Sequence, residues 1–294
     1  MPDRRASVLQ PNFIVSTGRT GTKFLAQFLN KRCCGTSARH EPRPLMRRLG
    51  YELALGRIST ERAVEVFLQR RRRLHAEISA SECNTYVEAN PFLLFWLPVV
   101  RKAYAGYRIV HLVRDGRDWV RSVIGRPALV LPDNLLPFLR LLPDQVVERT
   151  DQMPECIACF IRDAWNPRAV DFPLDPFAEQ WREMSRFEKL AWVWRKKEEY
   201  VHAAIGEDDN AITIRFEDIF VTEGESPGLE RLLSWFEIGD DGGCTPGALA
   251  EVTRQRVNAT PRHTYPHWRE WDDEIRRTFD SVAGCWLSFY GYNW

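Results

Sequence analysis

The stretch Asn12-Phe13-Ile14-Val15-Ser16-Thr17-Gly18-Arg19-Thr20-Gly21-Thr22-Lys23-Phe24-Leu25-Ala26-Gln27-Phe28-Leu29 decides the fold. Its first four residues form an apolar, β-prone run, and from Lys23 onward the apolar residues recur at helical spacing, so a strand, a tight loop and a helix start are predicted. Gly18 and Gly21 let the backbone adopt positive φ and approach a ligand closely. The first N–H groups of a helix have no intrahelical partner and point into such a loop, which makes it an anion cradle, most often for phosphate. Thr20 and Thr22 add hydroxyls, and Arg19 and Lys23 add charge. The competing reading is an ordinary exposed turn carrying an Arg and a Lys. The nucleotide-kinase pattern G-x-x-x-x-G-K-[ST] is not met, because the glycines are only three apart and Phe24 follows Lys23.

The rest of the chain bounds the partners. Its 294 residues, 44% of them hydrophobic, are enough to bury a sizeable core. Lys+Arg 41 against Asp+Glu 40 gives a net charge of +1, without the basic excess of a general nucleic-acid or membrane-surface binder. Any anion site is therefore local. No apolar run reaches the ~18 residues of a membrane span, and no signal-peptide core precedes the first strand, so a cytoplasmic protein is expected. The seven cysteines, with Cys33-Cys34 adjacent and one isolated Cys156-x-x-Cys159, do not form a disulfide framework or a complete zinc pattern and are expected to be ordinary core thiols.

Working outward, His40-Glu41-Pro42 follows the loop helix, and Pro42 is expected to push Glu41 toward extended geometry on a stiff loop. Both His40 and Glu41 are candidate bases, with a surface turn or a pairing to Arg39 or Arg43 as the alternative. Residues 45 to about 80 read as two amphipathic helices, and Arg70 to Arg73 as a solvated face. Thr85 to Asn90 reads as a strand, Phe92 to Tyr104 as a buried helix, and Tyr107 to Val113 as a strand of the continuously apolar kind found in parallel sheets. Arg114 sits at the end of that strand, where open α/β sheets bind ligands, and Ser122 lies eight residues on, in the following helix. An arginine and a hydroxyl so placed can bracket one phosphate; an Arg114–Asp118 surface pair is the alternative. From 126 to 185 prolines and tryptophans dominate without a clear strand, predicting a helical and loop insertion over the sheet's mouth. Trp165, Phe172, Phe177 and Trp181 there line a pocket or belong to the core. A helix from Phe187, a strand from Ala211 to Asp218, a helix from Gly228 to Phe236, a basic loop with Arg254, Arg256 and Arg262, and a final helix complete the chain.

The order of these parts resembles the sulfotransferase superfamily that uses 3′-phosphoadenosine 5′-phosphosulfate. Arg19-Thr20-Gly21-Thr22 is similar to that family's Arg/Lys-Ser-Gly-Thr loop, which holds the 5′-phosphosulfate. Arg114 and Ser122 reproduce its strand-end arginine and the serine eight residues later, both on the 3′-phosphate. Arg215-Phe216-Glu217-Asp218-Ile219 resembles its Arg-Tyr-Glu-Asp-Leu element, and Phe289-Tyr290-Gly291-Tyr292 its closing Leu-Gly-Tyr. His40-Glu41-Pro42 looks like the Phe-Glu-Pro of the carbohydrate branch, in which the glutamate is the base. The cytosolic aryl and steroid branch has a Lys where Arg19 stands.

The resemblance implies one three-layer α/β/α domain over 1–294, with a mainly parallel sheet like that of P-loop nucleoside-triphosphate hydrolases and helical insertions, the 126–185 segment covering the acceptor site. It implies donor binding by Gly18, Arg19, Thr20, Gly21, Thr22, Lys23, Arg114, Ser122 and Arg262. Catalysis would fall to Glu41, Arg19, Lys23 and His40, with adenosine 3′,5′-bisphosphate as product and no metal. The acceptor would be a hydroxyl of a sugar, a glycan or a small natural product, and no nucleic acid or membrane would be involved. An ATP-dependent P-loop kinase and a non-catalytic nucleotide-binding module are the other readings.

Overall fold

The computed structural model of the chain describes residues 10–81, 83–125, 135–220, 226–239, 245, 247–248 and 265–294. Five strands, β1 (Pro11–Val15), β2 (Thr36–His40), β3 (Thr85–Ala89), β4 (Arg108–Val113) and β5 (Ala211–Arg215), form one parallel sheet in the order β2-β3-β1-β4-β5. The expected α/β class is therefore observed. The chain leaves β1 toward β2 and β3 on one side and then crosses to β4 on the other, so the loop after β1 sits at the switch point where open parallel sheets bind ligands.

The chain divides into two compact units. The first draws on Met1–Pro44, Ser59–Leu112 and Ala204–Val257, the second on Leu45–Ile58, Val113–Ala203 and Asn258–Trp294.

In the first unit the two-residue period of the strands sorts side chains onto two faces. Ile14, Val87, Ala89, Val110, Leu112 and Ile214 pack with α1 (Thr22–Arg32) and α11 (Pro227–Trp235). On the other face Tyr86 meets Leu74 and Ile78 of α3 (Thr60–Ser79), and the Phe13 ring lies tilted, 5.7 Å from that of Tyr104, the residue that ends α4 (Leu97–Ala103). Helices thus cover both faces, which is why these strands read as continuous apolar runs. The predicted 92–104 helix is a 3₁₀ turn over Pro91–Trp96 that passes into α4.

Two features of this unit overturn sequence expectations. Arg71, from the run taken as a solvated face, is buried, and its guanidinium bonds the fully buried Glu88 carboxylate on β3. Tyr86 Oη (3.1 Å) and Asn90 Nδ2 (3.0 Å) also donate to that carboxylate. Nor does the last strand run to Asp218: it stops at Arg215, and Phe216–Phe220 form a helical turn, α10.

The second unit holds α2 (Arg47–Ala54), α5 (Gly116–Val123), α6 (Leu136–Arg140), α7 (Asp144–Glu148), α8 (Glu155–Asp163), most of α9 (Arg186–Ile205) and α12 (Asp273–Phe289). The described part of the 126–185 segment is helix, 3₁₀ turn and loop. The aromatic density is core: Trp181 is 1% exposed, lies 5.2 Å edge-on to Trp192, and joins Trp119, Trp194, Trp271 and Phe279, with Phe172 and Phe177 packed against them. Gly116 opens α5 because a Cβ there would lie 2.6 Å from the Trp194 ring. Among the described residues no helix is long and apolar enough to cross a membrane.

Candidate functional site

The loop joining β1 to α1 is built from left-handed residues. Gly18 (φ +86°), Arg19 (φ +60°) and Gly21 (φ +73°) all have positive φ, the kind of backbone from which anion-binding N–H concavities are built. Gly21 has two reasons to be glycine, since an added Cβ would also lie 2.7 Å from the ring of Phe220. That ring is delivered by α10, so the helical turn that replaced the end of the expected strand forms the loop's apolar wall. Ser16 Oγ accepts from the Gly18 N–H at 3.1 Å and ties the entry of the loop.

The helix that follows starts bare. Gly21 is the N-cap of α1 and provides no side-chain cap, and the first turn holds no acidic residue. The positive end of the helix dipole is thus left uncompensated by the helix itself. Around it, the Thr17 and Thr20 hydroxyls are buried and have no hydrogen-bond partner among the described residues. Each such orphan costs about 1–3 kcal/mol. The chemistry fits an oxyanion ligand: hydroxyl and amide donors face a terminus of positive potential. Thr17 was not singled out in the sequence, although its place in the Ser-Thr-Gly-Arg-Thr-Gly-Thr run could have flagged it.

β2 delivers the candidate bases. His40 Nε2 lies 3.3 Å from Thr22 Oγ1 on α1 and 3.6 Å from Glu41 Oε1. Burial, and then the nearby Lys23 ammonium, pull the His40 pKa down to about 4, so the ring is neutral near pH 7. At 3.6 Å, with one partner neutral, the contact to Glu41 is an approach and neither an ion pair nor a hydrogen bond. Glu41 is not extended as its place before Pro42 suggested; its φ is +47°. The β2–β3 register continues one residue past the strand, with the Glu41 N–H donating to Ala89 O at 3.1 Å, and the chain leaves the sheet through that left-handed residue. A left-handed glutamate costs about 1–2 kcal/mol.

The second predicted element lies in the other unit. Arg114 directly follows β4, and Ser122 lies in the last turn of α5, buried, with its hydroxyl donating to Trp119 O at 2.7 Å. Between them Asp115 and Arg117 form a buried ion pair. Asp115 accepts from the Arg117 N–H (2.9 Å) and guanidinium (2.7 Å) and so caps α5. Arg117 also donates to Asn293 O at 2.9 Å, and its guanidinium lies 3.7 Å and 4.8 Å from the centres of the Trp268 and Trp294 rings.

Arg254, Arg256 and Arg262 lie outside the described residues. The thiols are not the uniform core set expected: Cys34, Cys83 and Cys285 are exposed, and Cys33 is in a disulfide. A cleft of about 450 Å³ lined by Arg108, Arg231, Trp235 and Glu237 and another of about 410 Å³ lined by Asp171, Phe172, Asp175 and Arg195 hold none of the residues assigned above to donor binding or catalysis, although Phe172 lines the second.

No family model matches the chain, and no curated protein matches it. Among solved structures it is similar to a sulfotransferase domain from the curacin biosynthetic pathway, at 12% identity over 98% of this chain and 99% of that one, with a TM-score of 0.49. It is also similar to a sulfotransferase from Alicyclobacillus acidocaldarius, at 12% identity over 98% of each chain, with a TM-score of 0.45.

Proposed function

We propose that the chain is a sulfotransferase that takes 3′-phosphoadenosine 5′-phosphosulfate as donor and a hydroxyl of a sugar, glycan or small natural product as acceptor, with Glu41 as general base. The observation that carries this reading is the pair of buried hydroxyls of Thr17 and Thr20, without a hydrogen-bond partner among the described residues, at the uncapped start of α1. The loop's failure to meet the kinase pattern, and its likeness to the family's phosphosulfate loop, favour a sulfonated donor over ATP.

When bound, the donor supplies an activated sulfuryl group whose leaving group is a phosphate. The chain's share of the work is positioning and charge stabilisation, as in phosphoryl transfer. The loop amides, Thr17, Thr20 and Thr22 would hold the phosphosulfate oxygens, and Arg19 and Lys23 would stabilise charge on the leaving oxygen. Glu41 would take the acceptor's proton, a contribution of about 10² to 10⁴-fold. Arg114, Ser122 and a basic residue such as Arg262 are assigned to the 3′-phosphate, Arg114 as the stronger member because the Ser122 proton is already given to Trp119 O. The reading includes no metal, no nucleic-acid partner and no membrane, and places the activity in the cytoplasm.

The test combines calorimetric binding of adenosine 3′,5′-bisphosphate with transfer of labelled sulfate to a panel of hydroxyl acceptors. Glu41→Gln should abolish transfer and leave nucleotide binding intact, whereas Arg114→Ala should weaken binding. Full transfer by Glu41→Gln would overturn the assignment of the base.

A further inference from the structure

The loop and the carboxylate are joined by one side chain, His40. Its Nε2 stands between two oxygens, Thr22 Oγ1 at 3.3 Å on the ligand-facing helix start and Glu41 Oε1 at 3.6 Å on the next residue. An N–H···O bond is about 2.9 Å, so a ring movement of about 0.7 Å would exchange one partner for the other. To serve each oxygen in turn, Nε2 would have to carry the proton, because a carboxylate can only accept. Thr22 Oγ1 would then accept from His40, and its own hydrogen would remain for a ligand oxygen. Lys23 and Glu41 are the charged groups recorded against the ring, and burial with Lys23 keeps it neutral. A histidine poised between a nucleotide-loop hydroxyl and a strained carboxylate is placed to report occupancy of one to the other.

We propose that His40 is a positioning residue that passes its Nε2–H from Thr22 to Glu41 when the loop is filled, so that donor binding fixes the base for the acceptor. This rests on the sulfotransferase reading, and it changes the role of His40 from an alternative base to a link between donor loop and base.

The experiment uses the full chain labelled with ¹⁵N-histidine, with the His40 signals identified by their loss in His40→Gln, and adenosine 3′,5′-bisphosphate as the probe. At pH 6.5 the His40 ring should be the neutral Nε2–H tautomer. Saturating nucleotide should shift its signals, and Glu41→Ala should abolish that shift while calorimetric affinity stays within about twofold of wild type. A charged ring, the Nδ1–H tautomer, or signals unmoved by a nucleotide that calorimetry shows to be bound would overturn the inference alone. Absence of nucleotide binding to the wild type would overturn the sulfotransferase reading and this inference together. As a second readout, His40→Phe should lower kcat about 10²-fold with donor KM little changed, the effect of a misplaced catalytic group, and His40→Gln should restore most of it by supplying an N–H at the Nε2 position. Equal kcat in His40→Phe and wild type would also overturn the proposal.

Discussion

The starts of α1 and α5 are built from similar parts and finished differently. Each helix follows a central strand through a short turn that carries arginine and glycine. At α5 the turn supplies its own anion: Asp115 caps the helix, pairs with Arg117 and leaves that terminus satisfied from within. At α1 the N-cap is a glycine, the first turn holds no carboxylate, and two buried hydroxyls have no partner among the described residues. Other described helices resemble α5, since α3, α11 and α12 are capped by Ser59, Ser226 and Asp272. A closed terminus contributes to stability. One left uncapped at the switch point of the sheet forgoes that contribution and, on the proposed reading, keeps its donors for a ligand.

The largest effect should come from opening the closed terminus. Asp115→Ala leaves the Arg117 guanidinium buried without its carboxylate and should destabilise the protein by about 3–5 kcal/mol in chemical denaturation. A loss under 1 kcal/mol would mean the cap is not what holds this turn.

The next effect is a pH dependence on the open side. The folded His40 pKa of about 4 lies below its ordinary 6.5, so as pH falls through that window the unfolded chain takes up a proton that the fold refuses. Stability should therefore be present above pH 6.5 and be lost toward pH 4, by at most about 3 kcal/mol. His40→Gln should flatten that slope; an unchanged slope would refute the assignment.

Gly21→Ala should cost about 2 kcal/mol of stability, from left-handed strain together with the Phe220 contact, and should remove nucleotide binding. Gly18→Ala, with its nearest side-chain atom at 3.9 Å, should incur the strain alone. The smallest effect has the opposite sign. Thr20→Val replaces a buried hydroxyl, unpartnered among the described residues, with a methyl, so it should leave stability unchanged or raise it by about 1 kcal/mol while weakening nucleotide binding about tenfold.

The strand, glycine loop and helix start were legible in the sequence because the tight turn needs its glycines within a few residues of the strand end, and the strands were legible because a sheet covered on both faces demands continuous apolar runs. What escaped depends on contacts that sequence spacing does not encode. Arg71 looks like its neighbours in a basic run, yet it alone points at Glu88 on β3. The conformation of Glu41 is set by pairing with Ala89, some fifty residues away, which outweighs the local influence of Pro42. Thr17 and Thr20 carry the clearest mark of a site, but only burial distinguishes them from ordinary loop threonines.

The most direct test of the open terminus as an oxyanion cradle is a calorimetric titration of the wild-type chain with adenosine 3′,5′-bisphosphate in metal-free buffer, repeated with Thr20→Val. Saturable one-to-one binding that weakens in the variant is predicted. No binding, or binding only of ATP with magnesium, would contradict it.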